Sequence, residues 1–161
     1  MNPVDGSVHL LYWENESAPR VMHRQAPADL SSWSAPAQVS QPGEIAKRPA
    51  GVFHDGVLHV VYESHGPGQS GIPRLMILAT QSGSTFTTEV LASSNYHEPN
   101  WIQVHSGVGK LWVDWIEDDD EMCWMRRQAP GSWEPIQAEP FSGVEQRDFH
   151  VRGKIKHEAI F

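Results

Sequence analysis

The sequence predicts an all-β fold, a β-propeller built of four-stranded antiparallel blades with about three blades per chain, and three markers recurring in one phase predict it. The first marker is Gly6-Ser-Val-His-Leu-Leu-Tyr-Trp13. It returns as Gly56-Val-Leu-His-Val-Val-Tyr-Glu63, as Gly109-Lys-Leu-Trp-Val-Asp-Trp-Ile116 and, more faintly, as Gly153-Lys-Ile-Lys-His-Glu-Ala-Ile160. The leading glycines stand 50, 53 and 44 residues apart. The second marker is an identical tetrapeptide, Arg24-Gln-Ala-Pro27 and Arg127-Gln-Ala-Pro130, separated by 103 residues, or two repeat lengths. The third is an aromatic (Trp33, Phe86, Trp133) that follows a Gly- or Ser-rich turn in each unit. A β-sandwich is the alternative for many short strands, but it carries no fifty-residue phase.

Each unit parses into four short strands. In the best-preserved unit, Arg48 to His54 reads as the innermost strand, and Asp55-Gly56 as a hairpin turn that favours positive φ. Val57 to Glu63 is a nearly continuous apolar run, as expected of a strand covered on both faces. A Gly/Pro-rich loop, Ser64 to Pro73, leads to a third strand, Arg74 to Gln81, and a fourth, Thr85 to Ala92. The next unit repeats this from Glu98 to Pro140. The predicted units are 1–45, 46–94 and 95–142, with a terminal part-blade over 143–161, together forming a single propeller domain. One such sheet cannot cover both of its faces alone; neighbours leaning on it do so.

Bulk properties narrow the function classes. A formal charge of -8 disfavours nucleic acid, because phosphate binding needs clustered Lys and Arg. The acidic run Glu117-Asp118-Asp119-Asp120-Glu121 reads as a solvated loop, since it lacks EF-hand spacing. Cys123 is the one cysteine, which leaves neither an internal disulfide nor a thiolate metal cluster. No stretch approaches eighteen apolar residues, so no membrane span is expected. The opening Met-Asn-Pro-Val-Asp-Gly has no basic region before an apolar one, which makes cytoplasmic residence the default expectation and leaves the compartment open. His9 and His59 share a repeat slot that Trp112 and Lys156 fill elsewhere, a packing position rather than a metal ligand. No cofactor fingerprint occurs, so neither a cofactor nor a metal is expected.

Propellers close with about four to eight blades, and three are too few. The first unit starts at a second strand, Gly6 to Trp13, whose innermost partner is missing, while Gln146 to Arg152 supplies an unpaired innermost strand. The expectation is a homo-oligomer, preferably a dimer closing one ring, or membership of a longer propeller.

The pattern Gly56-x-Leu-His-Val-Val-Tyr62, then Arg74-x-Met-x-Leu-Ala-Thr80, then a short turn and Phe86, resembles blades of the sialidase-like or BNR-repeat β-propellers. The resemblance spans nearly the whole chain at the level of blade consensus. Its Asp-box, Ser-x-Asp-x-Gly-x-Thr-Trp, is degenerate here. Trp33 has Asp29 one place out of register, Trp133 has no Asp, and Phe86 keeps only Gly83 and Thr85. The Arg-Ile-Pro motif is echoed by Arg48-Pro49. The resemblance implies carbohydrate recognition, with glycoside hydrolysis and a protein-interaction scaffold as the alternatives; whether the chain is an enzyme stays open.

Strand direction places the candidate site. Residues opening the innermost strands and residues closing the second strands share one mouth of the ring. The openers are Arg48, then Tyr96, His97 and Glu98, then Arg147 and Asp148; the closers are Glu14, Glu63 and Glu117. Glycoside hydrolysis uses two carboxyl groups flanking the bond, and arginines clamp a carboxylate bidentately. If there is catalysis, Glu98 and Asp148 are the acid and base. Arg48, Tyr96, His97, Arg147, Glu63 and Glu117 are the ligand-binding candidates, and a glycan is the expected partner. Trp13, Trp115, Trp124 and Trp133 are candidate stacking platforms, unless they pack between blades.

Overall fold

Residues 1–14, 17–67, 74–94, 99–107, 109–117 and 121–140 are described by a computed structural model of the chain. They form twelve strands in three antiparallel sheets, with no helix among the described residues. The first sheet runs β1 (Val8–Glu14), β2 (Arg20–Ala26), β3 (Ala37–Gln38). The middle sheet is a four-stranded meander of β4 (Glu44–His54), β5 (Val57–Pro67), β6 (Arg74–Ser82) and β7 (Thr85–Ser94). The third is β8 (Pro99–Gly107), β9 (Lys110–Glu117) and β10 (Glu121–Ala129), with β11 (Ser132–Trp133) and β12 (Gln137–Pro140) sharing the outer edge of β10. The last two are one outer strand interrupted around Pro135, a residue with no N–H to donate to a ladder. β1 pairs only with β2 among the described residues.

The sheets lie face to face in chain order, β1 and β2 against β4, and β4 and β5 against β8. Alternation along β5 shows why. Leu58, Val60 and Tyr62 join Val21 and Val39 of the first sheet in one apolar cluster. Val61 joins Ile102, Val104, Leu111, Val113 and Trp115 of the third sheet in the other. Every residue from Leu58 to Ser64 is buried, so the apolar run in the sequence reports a strand with neighbours on both sides. Gly51 in β4 is where Leu11 of the first sheet seats; a Cβ there would meet the Leu11 methyl. Replacing Leu78, fully buried between the middle and third sheets, with Ala is expected to cost about 2–5 kcal/mol in a urea melt.

The inner strand of the middle sheet begins earlier than the sequence suggests, at Glu44 instead of Arg48. Ala46 N donates to Pro19 O across to the first sheet at 2.7 Å, which extends the strand backwards. The Asp55-Gly56 turn has φ of 51° and 77°, the left-handed pair that a two-residue hairpin requires. Of the candidate tryptophan platforms, Trp115 is excluded: it is 4% exposed, within the cluster between sheets. The described sheets form a stacked array and do not by themselves close a ring.

His9 and His59 fill inter-sheet packing positions. The His9 ring stacks on His23 at 4.9 Å and meets Phe53 edge-on, with His9 Nδ1 2.8 Å from His23 Nε2. His9 Nε2 lies 2.9 Å from Ser7 Oγ, which donates to Asp5 Oδ1 at 2.6 Å. His59 Nδ1 lies 3.1 Å from Thr80 Oγ1 on the neighbouring strand.

Candidate functional site

One end of the stack collects the starts of β4, β6, β8 and β10 and the ends of β5, β7 and β9, because every sheet is an antiparallel meander. At this end both inner strands are broken in the same way. The β4–β5 register slips between Lys47 and Ala50, and the β8–β9 register slips between Asn100 and Gln103. The residues in the slips are Arg48 (φ 54°) and Trp101 (φ 52°), both left-handed without being glycine. They stand 53 residues apart, the spacing of Gly56 and Gly109. Two β-bulges thus occupy one repeat position, each holding a large side chain at a backbone conformation that costs about 1 kcal/mol or more. The same strain is thus kept in two adjacent units at one end of the stack. Trp101 is 54% exposed there.

Glu63 lies behind Arg48. Its side chain is 1% exposed, and Oε2 accepts from Arg48 Nη1 at 2.9 Å. Oε1 accepts from Arg74 Nη1 at 3.2 Å and lies 3.2 Å from His65 Nε2. A buried carboxylate is tolerated only when paired in this way. Two of the predicted ligand contacts are therefore partners of each other. Glu63 acts from within, holding two guanidinium groups.

Glu63 is also out of phase with the two closers grouped with it. The repeat spacings match Glu14 and Glu117 to Ser64, and successive strand residues point to opposite faces. Glu14 accordingly makes an exposed pair with Arg20 at 2.7 Å. Glu117 ends β9 opposite Pro99 and Glu121. Tyr96, His97, Glu98, Arg147 and Asp148 lie outside the described residues.

A tyrosine–glutamate pair that sequence reading missed sits at the same end. Tyr62 Oη donates to Glu44 Oε2 at 3.0 Å, and Glu44 Oε2 also accepts from Gln41 N at 2.8 Å. Tyr62 is fully buried, and burial, followed by the Glu44 charge, pushes its phenol up from the ordinary value. An inaccessible phenol that resists ionisation is no nucleophile. This pair anchors the start of β4 to β5.

No family model matches the chain, and no curated protein does. Among solved structures, the GH32 β-fructofuranosidase BmSUC1 of Bombyx mori superposes with a TM-score of 0.59 at 13% identity, over 80% of this chain. What the two share is the fold. The likeness supports a propeller-like all-β arrangement for the stacked antiparallel sheets. This chain spans 32% of the length of that structure.

Proposed function

We propose that the chain is a carbohydrate-recognising module of the sialidase-like propeller class, binding a saccharide at the mouth where β4 and β8 open. The observation that carries this reading is the pair of repeat-equivalent bulges at Arg48 and Trp101, on two inner strands that pack against each other. An exposed indole stacks on the C–H face of a pyranose, and a guanidinium held by a buried carboxylate is a rigid donor to hydroxyl or carboxylate oxygens. The superposed structure belongs to an enzyme acting on a fructofuranoside, and this agrees with a sugar ligand.

A glycan array followed by calorimetry tests the proposal. Trp101→Ala is expected to weaken binding about 2–13-fold, the value of an aromatic contact of about 0.5–1.5 kcal/mol, with the urea midpoint unchanged. Equal binding by wild type and variant would remove the mouth from the account. Turnover of a chromogenic glycoside that disappears in Glu98→Gln would instead make the chain a glycosidase, with Glu98 and Asp148 as acid and base. Silence in both assays would leave an interaction scaffold.

We also propose that two copies complete the ring. The outer edge of β1 has no strand partner among the described residues, and Leu10 and Trp13 on β1 are 45% and 54% exposed; an edge of this kind is one that a second chain covers. Light scattering at micromolar protein is expected to give twice the chain mass; a monomer mass would refute it.

A further inference from the structure

At the end of the stack opposite the mouth, the middle and third sheets part to leave a cleft of about 600 Å³, within the range of about 300–1,000 Å³ typical of small-ligand sites. It is lined by the turns after β4, β8 and β10 and by His54, His59, Thr87, Arg127 and Gln128. Three contacts bridge the sheets beside it, one of them from Trp133 Nε1 to Glu89 Oε2 at 3.4 Å. His54 Nδ1 lies 2.9 Å from Ser106 Oγ, and Arg127 Nη2 donates to Glu89 Oε1 at 3.0 Å.

Arg127 is held unusually for its repeat slot. Its counterpart in the first sheet, Arg24, lies over Trp33 at 5.9 Å and donates through Nε to Ser34 O at 2.9 Å. Arg127 keeps the ring contact, 5.9 Å from Trp133, but its buried Nε has no acceptor among the described residues. The guanidinium has given up a hydrogen bond to lean toward Glu89 and the cleft, a cost in stability that packing on Trp133 does not explain.

The charges around the cleft choose the ligand. Arg127 is the one arginine or lysine among the described residues that line it, and it faces the carboxylates of Glu89 and Asp55, which outnumber it, so the wall does not favour an anion. His59, with Nδ1 on Thr80, is kept neutral by burial and by the adjacent Arg127, which pull its pKa down to about 4. What remains is a balanced set of donors and acceptors: guanidinium, imidazole, hydroxyl and amide. Hydroxyl groups, which both give and accept, match that set.

We infer that this inter-sheet cleft is a second binding site, for a neutral saccharide of one or two units, with Arg127 and Gln128 hydrogen-bonding its hydroxyls and His59 forming part of its wall. It is independent of the mouth, shares no residue with it, and stands or falls separately.

The test is a calorimetric titration of the intact chain with maltose, cellobiose and lactose, alongside N-acetylneuraminic acid. At least one neutral disaccharide is expected to bind with a dissociation constant of about 1 mM or tighter. Gln128→Trp, which fills the cleft from an exposed position, should weaken it at least about tenfold. Arg127→Lys, which preserves the charge facing Glu89 but loses the forked donor, should weaken it several-fold. Trp101→Ala at the mouth should leave it unchanged. No binding by any neutral sugar, a preference for the acidic one, or affinity untouched by Gln128→Trp would each overturn the inference. Loss in Trp101→Ala with retention in Gln128→Trp would assign the ligand to the mouth, upholding that site while refuting this one.

Discussion

Taking the protein from pH 7 to pH 4 is expected to remove several kcal/mol of stability, most of it through His23 and His59. Both rings are buried between sheets, and burial first, then neighbouring positive groups, draws each pKa from the ordinary 6.5 down to about 4. The neighbour is His9 for His23, and Arg127 and then His54 for His59. The unfolded chain takes up these protons near pH 6.5, while the folded chain refuses them until about pH 4. Stability is therefore complete above the unfolded value and drains away as the pH falls from about 6.5 to about 4. A depression of this size corresponds to about 3 kcal/mol for each ring. His9, also lowered by burial, is hydrogen-bonded to His23, so the two titrate as a pair. Urea midpoints at pH 7 and pH 4.5 check this, and His59→Gln should reduce the difference by roughly half. A midpoint flat across the window would mean that the rings are open to water.

Glu63→Ala is expected to destabilise the chain by about 3–5 kcal/mol, because it removes the buried carboxylate that Arg48 and Arg74 both pair with. Arg48 is partly exposed, which places the result toward the lower figure. Glu14→Ala breaks a superficially similar pair with Arg20, but that pair is open to solvent and should cost no more than about 0.5 kcal/mol. Thermal or urea unfolding of the two variants side by side reads the contrast. If they cost the same, Glu63 is not the internal anchor of the mouth.

Much of the architecture was legible because repetition repeats physics. The glycines at 56 and 109 mark turns whose positive φ the chain adopts, and the run from Leu58 to Glu63 announces a strand with neighbours on both faces. The bulges were not legible. Left-handed backbone is normally flagged by glycine, and here the positions hold Arg48 and Trp101, whose neighbours, Lys47 and Pro49 against Asn100 and Ile102, share no pattern. Only the spacing of 53 connects them. Trp101 was missed for a related reason: the sequence markers tie aromatics to hairpin turns, and this one opens an inner strand. Glu63 was expected to contact a ligand, whereas its side chain is 1% exposed, since period-two alternation assigns a face without revealing what covers it. Grouping it with Glu14 and Glu117 overlooked the one-residue offset that turns its side chain to the opposite face.

The most direct test of the central claim, that a saccharide is recognised at the mouth by the residues of the two paired bulges, is to follow the indole N–H resonances of the seven tryptophans during titration with a glycan that binds. The Trp101 resonance is expected to shift with saturation while that of buried Trp115 stays in place. Saturable binding that leaves Trp101 unmoved would contradict the account.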